Sequence, residues 1–225
     1  MVHALAVLHA PLRLSLSKPK DQSHVTTKAT YRREDPDARR ASLIEACARV
    51  LAREGVAGAS VRAIALEGGV SPGLIGHYFG GVDALIASTY AQVEARVATA
   101  LDEAVAAAGP DPRARLDAYV SASLLPPIAD SDLLSTWIAF WSLVRARPEI
   151  AALHDEQYGR FRADLEKLLT ENGVKQAALR QTAIAITALV DGLWLELCLS
   201  PETFAEGEAA AIARSGLSAL ISTVR

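Results

Sequence analysis

Two glycine pairs, Gly68-Gly69 and Gly80-Gly81, punctuate the most constraining stretch of the chain, VRAIALEGGVSPGLIGHYFGGVDALI, Val61 to Ile86. Each pair stops what precedes it, because glycine reaches left-handed backbone conformations at little steric cost and helices often end on it. One short helix fits before the first pair and one between the two. Ser60 predicts the cap of a helix through Val61, Ile64 and Ala65. Ser71-Pro72 predicts the cap and opening of a second, where proline's missing N–H has no intrahelical partner to lose. Ala65 is small enough for the second helix to cross it, Gly69 turns the chain, and Val70 and Ile75 form an apolar plug between the helices. Ser71, Pro72, Gly73, Gly76, His77 and Tyr78 are left facing outward.

A longer amphipathic helix precedes the pair: from Asp37, Leu43, Ile44, Cys47, Val50 and Leu51 recur at helical spacing until Glu54-Gly55. A bracing helix followed by two short helices joined through a glycine turn is a helix-turn-helix. Small residues opening the second helix let its backbone approach base edges in the major groove of double-stranded DNA, while His77 and Tyr78 reach phosphates. The competing reading is an αα-corner in an ordinary bundle, with Tyr78-Phe79 as core. An exposed His-Tyr pair ahead of two glycines suits a phosphate clamp better than a core.

The rest of the chain predicts more helices. Gly80-Gly81 is followed by Asp83 as the expected cap of a long helix to about Ala107, and breaks at Gly109-Pro110-Asp111-Pro112, Pro126-Pro127 and Pro148 separate segments near 113–125, 130–146, 149–171, 176–199 and 203–224. Nine helices and no strand make the expected fold all-α. The expected division is an arm at 1–36, the helix-turn-helix at 37–84 and a helical ligand-binding and dimerisation region at 85–225. A formal net charge of −3 excludes a uniformly basic nucleic-acid binder but not a local patch. Between Lys18 and Arg40 the chain holds seven positive residues against four negative, so a mobile basic arm is expected there. Cys47 and Cys198 stand alone in apolar helical patterns, which suits buried thiols in the cytoplasm. No signal peptide is expected, since the apolar stretch of Met1 to Leu16 is broken by Pro11 and Arg13 with no basic leader before it, and no membrane-spanning segment, since the apolar run from Ala183 to Leu199 carries Asp191 and Glu196.

Enzymatic chemistry finds no constellation. Asp191 and Glu196 lie on different helix faces, His77 has no nucleophile or acid near it in sequence, and the other histidines have no metal-ligand spacing, so neither catalysis, metal nor cofactor is expected.

SLIEACARVLAREGVAGASVRAIALEGGVSPGLIGHYFGGVDALI resembles the N-terminal DNA-binding region of TetR-family repressors over Asp37 to about Ile86. The resemblance implies an all-helical ligand-binding and dimerisation region after it, and a homodimer on a pseudo-palindromic operator. Arg40, Ser60, Arg62, Ser71, Pro72, Gly73, His77 and Tyr78 are the expected DNA-facing residues. Val82 stands where that family usually has a phosphate-contacting Lys, which shifts the expected burden to Arg62, His77, Tyr78 and the arm.

TWIAFW places Trp137, Phe140 and Trp141 on one helix face, and DGLWLEL sets Asp191 three residues from Trp194. Aromatic faces with one carboxylate suit a quaternary ammonium, although rings at helical spacing also serve as core. With SPGLIGHYFGG, the longer stretches that contain these motifs, TWIAFWSLVRARPEIAALHDEQYGRFRADLEKLL and ALVDGLWLELCLS, resemble the BetI subgroup of TetR repressors, which respond to choline, over most of Asp37 to Ser200. Glu196 departs from the basic residue expected after DGLWL. The expected ligand is choline or a relative bound by Trp137, Phe140, Trp141, Asp191 and Trp194; a neutral hydrophobic drug is the alternative, and a helical interaction module without DNA binding is the reading from a different class. Leu189, Leu193, Leu197, Ile212, Leu220 and Ile221 are the expected dimer-interface residues.

Overall fold

The computed structural model describes residues 35–224, so the basic arm lies almost entirely outside the described residues. Among these residues there are nine α-helices, one short 3-10 turn and no strand. They run α1 (Pro36–Gly58), α2 (Val61–Glu67), α3 (Gly73–Phe79), α4 (Val82–Ala107), α5 (Pro112–Ala122), α6 (Ser131–Val144), α7 (Pro148–Glu171), α8 (Gln176–Leu199) and α9 (Glu208–Ser222), with the 3-10 turn at Pro201–Thr203.

Local chemistry sets most of the ends. Asp35 caps α1 by accepting the Asp37 N–H at 3.1 Å, with Pro36 in the first turn. Gly55 breaks the helical path of α1 at φ 63°, where any side chain would be strained. Ser60 Oγ accepts the Ala63 N–H and so caps α2. Asp111 and Asp130 do the same for α5 and α6.

Three expected boundaries are corrected. Ser71 gives α3 no side-chain cap; Pro72 occupies the cap position at helical dihedrals, and the carbonyls of Ser71 and Pro72 take the Leu74 and Ile75 N–H groups. Asp83 does not cap α4, which is preceded by Gly81; it sits in the first turn, where a carboxylate is favoured by the helix dipole, and pairs with Arg147. The last helix starts at Glu208 rather than near 203, because Pro201–Thr203 makes its own turn and Gly207 adopts a left-handed conformation.

Leu43, Cys47, Val50, Leu51, Ile64, Ile75, Leu85 and Ile86 bury the first three helices against the start of α4. α1 packs along α6, where the Thr136 hydroxyl donates to Asp132 O at 2.7 Å and approaches Ala48 O at 3.4 Å. α4 begins beside α3 and continues past α5 and α7, so it belongs to both parts of the chain. α8 is long and apolar enough to cross a membrane by length and composition alone, yet it packs against α6, α7 and α9.

Candidate functional site

The α2–α3 pair buries Ile64, Ala65 and Ile75 and leaves Ser71, Pro72, Gly73, Gly76 and His77 exposed, with Arg40, Ser60 and Arg62 also exposed beside them. A Cβ built at Gly73 or Gly76 meets no atom of the chain within 4 Å, so this face of α3 is open. Tyr78 is a partial correction. It is half-buried and packs against the core, and the Arg40 guanidinium lies 5.8 Å from its ring centroid and 5.3 Å from that of Phe79. The His77 ring meets Tyr78 edge-on at 5.0 Å. Seam packing therefore fixes the Tyr78 ring, while Arg40 and His77 stand outside it. Val82 is half-buried and packed against the core.

A narrow cavity opens between α4, α6, α7 and α8, with about 490 Å³ of empty space when the open solvent at its mouth is counted. Trp137, Trp141, Asp191 and Trp194 all line it. Phe140 does not: it is fully buried behind the wall, tilted against Tyr90 at 4.8 Å and edge-on to Trp137 at 5.7 Å. At i+3 from Trp137 it shares the helix face but turns toward α4, and its role is to hold the wall.

The sequence motifs missed α7. Gln157, Tyr158 and Phe161 line the same cavity, and the Tyr158 hydroxyl donates to Asp191 Oδ1 at 3.1 Å. Burial pushes the Asp191 carboxyl up to about 6, against the lowering effects of the Tyr158 hydrogen bond and of Arg162. Burial likewise raises the Tyr158 hydroxyl above the usual phenol range, with the Asp191 charge adding to it. Near neutral pH the cavity thus holds one carboxylate among rings and no cationic lining residue. The family resemblance runs through α7 without singling out a lining residue, and the spacing of His154, Tyr158 and Phe161 by itself resembles any amphipathic stripe.

Three contacts tie the elements around this cavity to α1 and to α4. α6 presents Trp137 and Trp141 to the cavity while packing on α1. The Tyr90 hydroxyl on α4 donates to Gln157 Oε1 at 2.6 Å. Arg147, between α6 and α7, pairs with Asp83 at the start of α4.

The expected dimer residues divide. Leu193 and Ile221 are buried within the chain, and Leu189, Leu197 and Leu220 pack against its core; a Cβ at Gly216 would meet Leu189 Cδ2 at 2.6 Å. The reason is that α8 packs on α6, α7 and α9 within one chain, and these positions are taken up by that core. Of the six, only Ile212 is well exposed; Ile184, Leu195 and Leu199, the last 66% exposed, join it as uncovered large apolar residues on the two helices.

Comparison with known proteins gives two family matches. Residues 43–89 match bacterial regulatory proteins of the tetR family, and residues 112–222 match the C-terminal region of the BetI-type transcriptional repressor. The HTH-type transcriptional regulator BetI of Paraburkholderia xenovorans (strain LB400) is 34% identical over 172 residues, covering 75% of this chain and 86% of that protein. A solved chain from Pseudomonas aeruginosa PAO1, described as a transcriptional regulator, is 39% identical with a TM-score of 0.77, covering 86% of this chain and 95% of that one. One from Saccharomonospora viridis, solved in complex with choline, is 25% identical with a TM-score of 0.66, covering 84% and 97%.

Proposed function

Since the chain belongs to the TetR family, with a BetI-type C-terminal region, and is a transcriptional regulator rather than an enzyme, we propose that it is a repressor whose homodimer binds a pseudo-palindromic operator and is released by a small quaternary ammonium. One recognition helix covers too few base pairs for specificity, and two related by a two-fold axis suffice. The regions proposed for the two tasks are residues 37–84 for DNA and 85–225 for ligand and dimer. Arg40, Arg62 and His77 are proposed to reach phosphate, and Ser71, Pro72 and Gly73 base edges.

The observation that carries the ligand reading is the convergence of Trp137, Trp141 and Trp194 with Asp191 on one cavity. A quaternary ammonium donates no conventional hydrogen bond and is held by ring faces and an opposite charge. The choline complex of the Saccharomonospora viridis protein supports the same class of ligand. A neutral hydrophobic ligand remains the second reading, favoured by the largely apolar lining and by the cost of ionising a buried carboxyl.

Release requires the ligand to favour one of two dimer geometries, since equal affinity for both shifts nothing. The proposed path runs from the cavity wall through α6 to α1, and through the Gln157–Tyr90 and Arg147–Asp83 contacts to α4, changing the separation of the paired recognition helices. A gel shift with the DNA upstream of the chain's own gene, titrated with choline and with a neutral hydrophobic drug, tests it. A retarded band that choline dissolves is expected; retardation relieved only by the neutral compound replaces the cation with the second reading.

A further inference from the structure

The Asp191 side chain is reached from two sides. Behind the cavity, α6, α7 and α8 leave a groove open to solvent, and Trp141, Tyr158 and Asp191 line the groove as well as the cavity. These three side chains are therefore a thin partition, with the cavity on one side and water on the other. Gly192 and Leu195 of α8 form one bank of the groove, and Val144, Arg145 and His154 line it from α7 and the end of α6. Small-ligand sites bury most of their ligand's surface, and water beside a carboxylate screens its charge. Anything that covers the groove therefore strengthens the cavity.

The bank formed by Gly192 and Leu195 belongs to a longer surface. Ile184, Ala188, Gly192, Leu195 and Leu199 are all exposed and follow one another at steps of three and four, an uncharged stripe along α8. On α9, packed beside it, Ala211, Ser215, Ala219 and Ser222 repeat the pattern, with Ile212 at their edge. A solvated face looks different: the exposed side of α7 carries Asp155, Glu156, Arg160, Asp164 and Lys167. Of the five large apolar residues left exposed among the described residues, four stand on α8 and α9, the mark of a face that another protein covers. A second copy suits it, because an uncharged face meets itself across a two-fold axis without bringing like charges together.

We propose that a second copy seated on this stripe also closes the groove and becomes the outer wall of the ligand cavity, so that filling the cavity and pairing the chains reinforce each other. This rests on the homodimer and the ligand cavity proposed above and adds the link between them. Gly192 and Leu195 carry that link, since each belongs both to the stripe and to the groove.

Leu199→Glu separates the copies without entering the groove, because Leu199 lies one turn beyond Leu195 and outside the groove's lining. Sedimentation identifies the species present, for this variant and for wild type diluted through its dimer dissociation constant. Choline and its uncharged isostere 3,3-dimethylbutan-1-ol are titrated against each species by tryptophan fluorescence. Whichever binds is expected to bind the monomer about tenfold more weakly than the dimer, and by linkage its saturation tightens the dimer about a hundredfold, tenfold for each of two sites. A folded monomer that binds as tightly as the dimer overturns the proposal. Gly192→Cys reads the groove without any ligand, at a position where a Cβ meets no atom of the chain within 4 Å. Iodoacetamide is expected to label the introduced thiol at least about tenfold faster with Leu199→Glu than without it, tandem mass spectrometry telling it from Cys198. Equal rates in dimer and monomer overturn the closure. A wild type that is monomeric at micromolar concentration removes the homodimer and the proposal with it, and a dimer that survives Leu199→Glu places the second copy elsewhere and overturns the closure. If neither probe binds the dimer, the ligand reading of the cavity fails and the thiol alone decides the closure.

Discussion

Replacing Asp191 with Asn removes the cavity's one carboxylate and keeps its shape, since Asn Oδ1 can still accept from the Tyr158 hydroxyl. Burial pushes the carboxyl up to about 6 in the folded chain, against roughly 3.9 for a free aspartate. A folded-state value above the unfolded one means that the folded state binds more protons between them, so stability falls as pH rises through this window. At about 1.4 kcal/mol per unit, the ionised carboxylate costs the folded chain at most about 3 kcal/mol above the window and nothing below it. Asn carries no such cost. Relative to its value near about pH 4, the stability of Asp191→Asn against wild type should therefore rise by up to about 3 kcal/mol near about pH 7.5. For a chain of this size that is roughly 6–12 °C in Tm at fixed protein concentration. Choline affinity should fall in the opposite sense, by about tenfold to a hundredfold near neutral pH, while 3,3-dimethylbutan-1-ol loses about twofold or less. Calorimetric melts at the two pH values and a tryptophan-fluorescence titration read both effects. A stability difference independent of pH, or unchanged choline affinity in the variant, refutes the assignment of Asp191 as a buried counter-charge.

The same carboxyl gives wild-type choline binding a pH dependence: a cation favours the ionised form, so affinity should weaken as pH falls through about 6 and level off above it, as titrations across that range would read. Sedimentation should find a homodimer at micromolar concentration, and Leu199→Glu, on the most exposed apolar residue of α8, should shift it toward monomer; a monomeric wild type sinks the interface. His77→Ala should weaken binding to all DNA sequences on the order of tenfold, while Gly73→Lys, at a position with open space, should change which sequence a selection experiment enriches; unchanged preference removes α3 as the reading helix. Asp83→Asn breaks the pair with Arg147 and should leave choline affinity within about twofold while altering how much choline is needed to release DNA, so unaltered release would exclude that contact from the coupling.

The helices were legible in the sequence because their ends are set within a few residues of chain. Ser60 meets the Ala63 N–H from its own turn, Asp111 and Asp130 do likewise, and Gly80 takes the left-handed conformation whatever lies beyond it. The face of α3 that carries Gly73, Gly76 and His77 follows from the period of a helix whose other side must bury Ile75. The aromatic motifs announced their helices but not their partners. Which ring of TWIAFW reaches the cavity and which is buried behind it depends on where α4 and α8 cross α6, and that crossing sends Phe140 to Tyr90 and Trp137 toward Trp194. Tyr158, thirty-three residues from Asp191 in sequence, becomes its hydrogen-bond partner only because α7 packs on α8. Leu193 and Ile221 look the same in a helical period as Ile184 and Leu199. An apolar stripe records that a face is covered, not whether its own chain or another copy covers it, and here the chain's own packing takes the first pair and leaves the second outside. Asp83 shows the same limit for charge: position alone made it a cap, and the approach of Arg147 from the α6–α7 junction made it an ion pair instead.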